Sequence, residues 1–386
     1  GNQNSLLGSW RLDGGGGLKL IPGKLPAADS SKHCLLHSES TEEERPSKVP
    51  KTLPADAEEE DQLERSSILE SMSQNPRLQR YLLAIEYIGT RFSGSQKQAI
   101  GRTVVGVLEE AFHKFTGQPV VVSLSSRTDA GVHALANVCH VDVERISKRK
   151  PGEVLSPHEP EVVRRAVNHF LQQREGDIMV TDVRRVPTDF HARFKAQERT
   201  YFYRLLSGPD LLSSFEKDRA WHIPEPLNLL AMKEACNVLV GHHDFSSFRA
   251  SSCQAKSPIR TLDELSVTEV APTPYFPSII EREHTNAHVE DALNSHKVGV
   301  PVYETGSGFG IRRRHRCYVI TARGRAFLYH QVRLLVGVLK CVGTGEITVS
   351  DVRRILEAKT VTAASPMAPA YGLYLGQVKY DLPRDQ

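Results

Sequence analysis

Ser125-Ser126-Arg127-Thr128-Asp129-Ala130-Gly131-Val132-His133-Ala134 sets one carboxylate two residues from one guanidinium in an otherwise apolar neighbourhood. A carboxylate with a cation close by suits acid, base or nucleophilic chemistry, because the cation keeps it ionised and oriented. On one side Val120 to Leu124 reads as a strand, and on the other Asn137 to Val143 alternates polar and apolar residues as a half-buried strand does. The decapeptide is therefore the expected loop of a hairpin, where two strands fix the direction of a loop side chain. The same residues also have a plainer reading, in which Asp129 caps a turn, Gly131 supplies a positive φ and Arg127 ends a strand.

The elements that would carry this loop begin at Arg77. Tyr81 to Tyr87 is expected as a first strand, and Val104, Leu108, Ala111, Phe112 and Phe115 form one helical face. After the hairpin, Val162, Val163, Ala166, Val167, Phe170 and Leu171 mark a second helix, followed by a strand at 178–186. A second half repeats the succession, with a strand at 200–206, a helix at 229–239, strands near 261–270 and at 317–322, a helix at 327–342 and a last strand at 371–380. Twice β-α-β-β-α-β predicts an α+β chain of two ferredoxin-like halves lying side by side, their sheets joined or facing one cleft. Residues 77–196 form the first half, with the loop, and 197–386 the second.

Composition narrows the function classes. No apolar run approaches the eighteen or so residues of a membrane helix. The six cysteines, Cys34, Cys139, Cys236, Cys253, Cys317 and Cys341, include no C-x-x-C pair, so reduced thiols and no structural metal are expected. His133, Cys139 and His140 come nearest to a metal set, but consecutive strand residues 139 and 140 point to opposite faces. The net charge of +3 divides unevenly: residues 1–76 hold eight Lys or Arg against thirteen Asp or Glu, which leaves the remaining 310 residues at +8. A basic body suits a polyanionic partner such as nucleic acid.

Residues 1–76 are expected to be a disordered extension, rich in Gly, Pro, Ser and acidic residues over 13–60 and without apolar periodicity. A connection at 271–316, with a basic end at Arg312-Arg313-Arg314-His315-Arg316, is expected to be mostly unstructured, its arginines either touching RNA phosphates or simply solvated.

Five segments occur in order: the hairpin loop, Thr188 to Phe194 (TDFHARF), Glu198 to Arg204 (ERTYFYR), His243 to Arg249 (HDFSSFR) and Phe327 to Arg333 (FLYHQVR). Through them the chain resembles, from about residue 80 to 380, the TruA family of tRNA pseudouridine synthases, and Ser125 to Asp142 with the Arg199 to Leu205 run looks most like its animal members. The resemblance implies the pseudouridine synthase fold, with the two halves forming a basic cleft. It also implies isomerisation of uridine to pseudouridine in RNA, tRNA as the partner with the anticodon arm as target, a homodimer, no cofactor and no obligatory metal.

By the same resemblance Asp129 is the catalytic residue, as nucleophile or as a base on a sugar proton. Arg333 falls where the family keeps a basic partner for the aspartate. An arginine on a helix made apolar by Phe327, Val332, Leu335 and Val336 is expected to address a carboxylate rather than stay unpaired. Tyr201 matches the tyrosine that stacks on the extruded uracil. Tyr203 shares its strand face and is a core candidate. Arg127 would displace the base or hold a phosphate, and His191, Arg193 and Arg249 are candidates for RNA contacts.

Two departures stand out. Gly94-Ser95-Gln96-Lys97-Gln98 replaces the Gly-Trp-Gln-x-Gln of many members, which implies a lost aromatic contact and a shifted substrate preference, and the 271–316 insertion changes the RNA-binding rim. The alternative function is a non-catalytic RNA-binding protein or tRNA chaperone that has kept the fold. The segment Gly1–Lys24, with Arg11, Lys19 and Lys24 and few acids, together with the animal likeness, favours a mitochondrial location over a cytoplasmic or nuclear one.

Overall fold

The computed structural model describes residues 10–12, 18–20, 77–150, 152–173, 175–271, 315–364 and 366–382. The unit Gly1–Pro54 contains, among the described residues, the antiparallel pair β1 (Trp10–Leu12) and β2 (Leu18–Leu20). The rest of the expected disordered extension lies outside the described residues, as does 272–314. Of the basic cluster that closes the insertion, His315 and Arg316 are described, and Arg316 pairs with Glu269 at 2.7 Å.

Within Ala55–Gln386, alternation on β3 (Gln79–Tyr87) sends Tyr81, Leu83 and Ile85 to one buried face. The helix α1 (Val104–Thr116) follows. It starts where the Thr103 side chain accepts from Gly106 N and stops at Gly117, whose φ of 81° only glycine adopts at little cost. Then come β4 (Val122–Leu124), β5 (His133–Val143), α2 (Pro160–Gln172), opened by a proline in its first turn, and β6 (Ile178–Val186).

The second half runs β7 (Glu198–Ser207), β8 (Trp221–Ile223), α3 (Leu229–Leu239), β9 (Gly241–Asp244), β10 (Ile259–Leu262), β11 (Glu264–Val270), β12 (Arg316–Gly324), α4 (Gln331–Gly343), α5 (Val349–Ala358) and β13 (Leu373–Lys379).

Pairing gives the order β6-β3-β5-β4 in the first half and β13-β7-β12-β11 in the second. Both are the split-βαβ order, fourth strand beside first, then third, then second. The halves are joined where β13 runs parallel to β5 through Tyr374↔His133 and Leu375↔Ala134, so that one sheet passes through both. Leu108, Phe112, Val163 and Val167 cover it in the first half, and Met232, Leu239, Leu335 and Val338 belong to the same buried cluster in the second. Each such side chain contributes about 1.5–3 kcal/mol by leaving water.

The pair β1–β2, within the extension expected to be disordered, and the short strands β8 and β9 were not expected, and three further elements differ from expectation. The run near 261–270 is two strands, β10 pairing with β9 and β11 with β12. Its inward residues Leu262 and Leu265 are three apart, so the two-residue period slips at Asp263. The helix expected from Phe327 begins only at Gln331, because His330 is left-handed at φ 63° and ψ 5°. α5 was not among the expected helices, although its Thr348 and Asp351 form a reciprocal capping box.

Candidate active site

The loop between β4 and β5 spans 125–132, since His133 and Ala134 already pair with β13. Its tip is a tight turn: Val132 N donates to Asp129 O at 3.1 Å, and Gly131, at φ 86°, takes the position where such a turn needs a positive φ. Gly131 N donates to Gly89 O at 3.2 Å, which pins the turn to the end of β3.

Buried polar groups hold the rest of the loop. Asn137 Nδ2 donates to Ser126 O at 3.0 Å and its Oδ1 accepts from Ser125 Oγ at 3.0 Å, while the Tyr87 hydroxyl lies 2.8 Å from Thr128 Oγ1. Ser95 Oγ accepts from Thr128 N at 2.7 Å, and Ser95 N donates to Thr128 O at 3.0 Å. Ser95 is fully buried, so where the tryptophan pattern departs this chain has a small side chain that supports the Asp129 loop. A buried network satisfied in this way fixes one conformation.

Arg199, at the start of β7, ties the loop to the other half. Its Nε donates to Ser126 Oγ at 2.8 Å, its Nη2 to Ser125 O at 3.0 Å and to Arg193 O at 3.1 Å, and its Nη1 to Arg325 O at 2.6 Å. Burial lowers its pKa, yet an arginine stays charged at any relevant pH.

Asp129 is half-buried, and α4 together with the residue before it supplies its partners. Arg333 Nη1 lies 3.3 Å and His330 Nε2 3.1 Å from the same oxygen, Oδ2. Arg333 is itself fixed, its Nε donating to Ala368 O at 2.8 Å and its carbonyl accepting from Ala368 N at 3.0 Å. Burial pushes the Asp129 carboxyl up, but the hydrogen bonds and charges of His330 and Arg333 outweigh it and leave it below the usual carboxylate range. Asp129 is therefore an anion at neutral pH.

Tyr201 is 9 % exposed and meets Phe327 edge to face, with centroids 5.1 Å apart. Burial pushes its phenol up against the charge of Arg199 and a hydrogen bond with Ser126, so the ring is neutral. Tyr203 is fully buried and donates to Pro369 O at 2.8 Å, a core role.

Arg127 is exposed on the Asp129 loop. The His191 ring packs on His140 at 4.6 Å and on Phe194 at 4.3 Å, and the Arg193 guanidinium lies over Phe194 at 5.5 Å. The Arg193 carbonyl connects to the loop through Arg199, and Arg193 N donates to His191 Nδ1 at 3.2 Å. Arg249 precedes Ala250, whose N donates to Tyr329 O at 3.1 Å, beside His330. Sequence reasoning missed Arg199 and His330. Each sits inside a quoted motif, but only the three-dimensional contacts distinguish it from its neighbours.

No group of three or more His, Cys, Asp or Glu among the described residues has the arrangement of a metal site. The fold and this loop define a class: an α+β protein with an ionised aspartate at the seam of two ferredoxin-like halves. A family model described as tRNA pseudouridine synthase matches residues 83–195 and 235–381, which include Asp129, His330 and Arg333 and leave out Tyr201 and Arg199.

The tRNA pseudouridine synthase A of Paramagnetospirillum magneticum is 38% identical over 301 residues, 78% of this chain and 95% of that protein. The proteins of the same name from Xanthobacter autotrophicus and Rhodospirillum centenum are each 40% identical, over 78% of this chain and 99% and 100% of their own lengths. This chain belongs to the tRNA pseudouridine synthase family, whose members are isomerases.

Proposed function

We propose that this chain isomerises uridine to pseudouridine in the anticodon arm of tRNA, with Asp129 as the catalytic carboxylate. The observation that carries the reading is the ionised Asp129 clamped by Arg333 from the opposite half, within residues that match the family. In this reaction the N1–C1′ bond breaks, the uracil turns, C5 bonds to C1′, C5 loses a proton and N1 gains one. Nothing is added or oxidised, so the balance needs no co-substrate. An ionised carboxylate serves either as nucleophile at C1′ or as base on a sugar proton.

The target base must leave its stack to present the glycosidic bond. In this reading Tyr201 stacks on it, a role its edge contact with Phe327 supports, and Arg127, which is exposed, fills its place or holds a phosphate. His191, Arg193 and Arg249 serve as outer contacts to a partner recognised largely by shape. We assign the working form to a homodimer and its location to the mitochondrion, as the family and animal resemblances suggest.

The test is pseudouridine mapping of total RNA from cells lacking the protein, rescued with the natural sequence or with Asp129→Asn. Sites restored by the natural sequence alone support the reading. Equal rescue by Asp129→Asn removes Asp129 from its role, and a map with no lost site favours the non-catalytic RNA-binding reading.

A further inference from the structure

The two oxygens of Asp129 are treated differently. His330 Nε2 and Arg333 Nη1 both reach Oδ2, at 3.1 and 3.3 Å, while Oδ1 takes no hydrogen bond from the described residues. One oxygen is anchored and the other is left for substrate.

His330 is held for this contact. Its φ of 63° is a left-handed conformation that costs a non-glycine residue energy, and it comes where the chain turns into α4. Its carbonyl accepts from Leu334 N at 3.0 Å. Its ring stacks on Tyr329, with centroids 3.8 Å apart and planes at 29°, and its side chain is 17% exposed. Glycine would relieve the backbone but would remove the donor.

We propose that His330 is a positioning residue for Asp129: its Nε2–H fixes Oδ2 jointly with Arg333, so that Oδ1 is the oxygen that meets the ribose. The inference rests on Asp129 being the catalytic carboxylate. It requires a proton on Nε2, which the imidazolium and one of the two neutral tautomers carry, since an ionised carboxylate only accepts. The other titratable groups that act on Asp129 are Arg333 on α4 and Tyr201 on β7. Removing His330 therefore leaves the carboxylate with one donor and makes it easier to protonate.

Two substitutions separate the donor from the ring. His330→Phe keeps a ring to stack on Tyr329 and removes the donor, whereas His330→Gln keeps an N–H of similar reach. His330→Asn, at ease in the left-handed conformation but too short to reach Oδ2, is a second donor-free variant should the phenylalanine not fold.

Single-turnover pseudouridine formation on a tRNA transcript is followed against pH, with RNA affinity measured alongside. For the Phe and Asn variants a rate loss of about 10²-fold near neutral pH and an acid limb moved to higher pH are expected, with affinity within a few-fold and glutamine recovering most of the rate. A donor-free variant with the natural rate and acid limb overturns the proposal. So do donor-free and Gln variants that are equally slow with the acid limb unmoved, since that pattern marks a packing role. A natural protein silent on every tRNA overturns the functional reading itself, and this inference with it.

Discussion

Arg333 stands 204 positions after Asp129 in the chain, yet its Nη1 lies 3.3 Å from Asp129 Oδ2. The half that supplies the carboxylate does not supply its counter-charge. The two meet only because β13 pairs with β5 and brings α4 over the β4–β5 loop. Docking of the halves is thus a condition of the proposed chemistry, and anything that loosens the seam acts on the Asp129–Arg333 pair as directly as a change within it.

Replacing Arg333 by leucine removes a charge and a donor from Asp129 while leaving α4 apolar. A loss of about 10²–10³ in kcat/KM is expected. The sign of the pH effect follows from the lowered Asp129 pKa. A depressed carboxylate favours the folded, ionised form above its unfolded pKa, near 3.9, and that contribution is lost as pH falls through the folded value. Without Arg333 the folded value rises, so the acid limb of kcat/KM should move to higher pH. An acid limb that stays in place would show that Arg333 is not the charge partner.

Arg199→Lys tests the clamp on the other side of the loop. A lysine keeps the charge but cannot span Ser125 O, Ser126 Oγ, Arg193 O and Arg325 O at once. Leaving several of these acceptors unpaired should cost about 2–3 kcal/mol of stability and lower kcat by roughly tenfold or more, with KM little changed. Urea unfolding and steady-state kinetics read the two effects separately. A stable variant with natural kcat would mean that the loop holds its shape from Asn137, Tyr87 and Ser95 alone.

These contacts also mark how far the site was legible in the sequence. Alternation and caps are local, and β6 at Ile178–Val186 and α3 at Leu229–Leu239 lie where periodicity puts them. The Asp129 loop announces itself by polar residues set between two apolar strands. Other features depend on partners far along the chain. β5 begins at His133 because Tyr374 and Leu375 pair with its first residues, a contact no local pattern carries. Arg199 reads as the head of an aromatic strand, and its four acceptors lie on three separate segments. His330 reads as one more polar residue within an apolar helix, because a single left-handed residue leaves no periodic trace. The slip at Asp263 is the exception: the spacing of Leu262 and Leu265 states it in the sequence itself.

Gly337, in the middle of α4, has a steric reason to be glycine. A Cβ there would come within 1.7 Å of Pro366 O, on the segment that leads to Ala368 and so to the hydrogen bonds of Arg333. Gly337→Ala gains helix propensity but must push this segment away, and overpacking should win by about 3 kcal/mol. A fall in Tm and a drop in kcat should appear together, since Arg333 loses its brace. A Tm equal to that of the natural protein would mean that the segment moves freely and braces nothing.

Two buried histidines contribute to the acid sensitivity of the fold. His133 Nδ1 accepts from Gly89 N at 3.1 Å, so the ring proton is on Nε2, which faces Asp218 O and Tyr371 O at 3.1 Å each. Burial lowers its pKa, the two carbonyls oppose this, and the charges of Arg219 and Arg204 reinforce it. His140 Nδ1 accepts from Ala192 N at 3.2 Å, and burial, with the charges of Arg80 and His191, takes its pKa down to about 3. In the unfolded chain both titrate near 6.5, so the unfolded state takes up protons first as pH falls. The stability they contribute is complete above about pH 6.5 and declines below it, by up to about 1.4 kcal/mol per pH unit for each histidine, until the folded values are reached. His140→Leu leaves Ala192 N without its acceptor at every pH, a constant cost, but removes one proton from the unfolding equilibrium. The variant should therefore be less stable at neutral pH, and its urea midpoint should fall less steeply between neutral and about pH 5 than that of the natural protein. Parallel curves would show that His140 keeps an ordinary affinity for its proton in the fold, and that the acid sensitivity of the seam lies elsewhere.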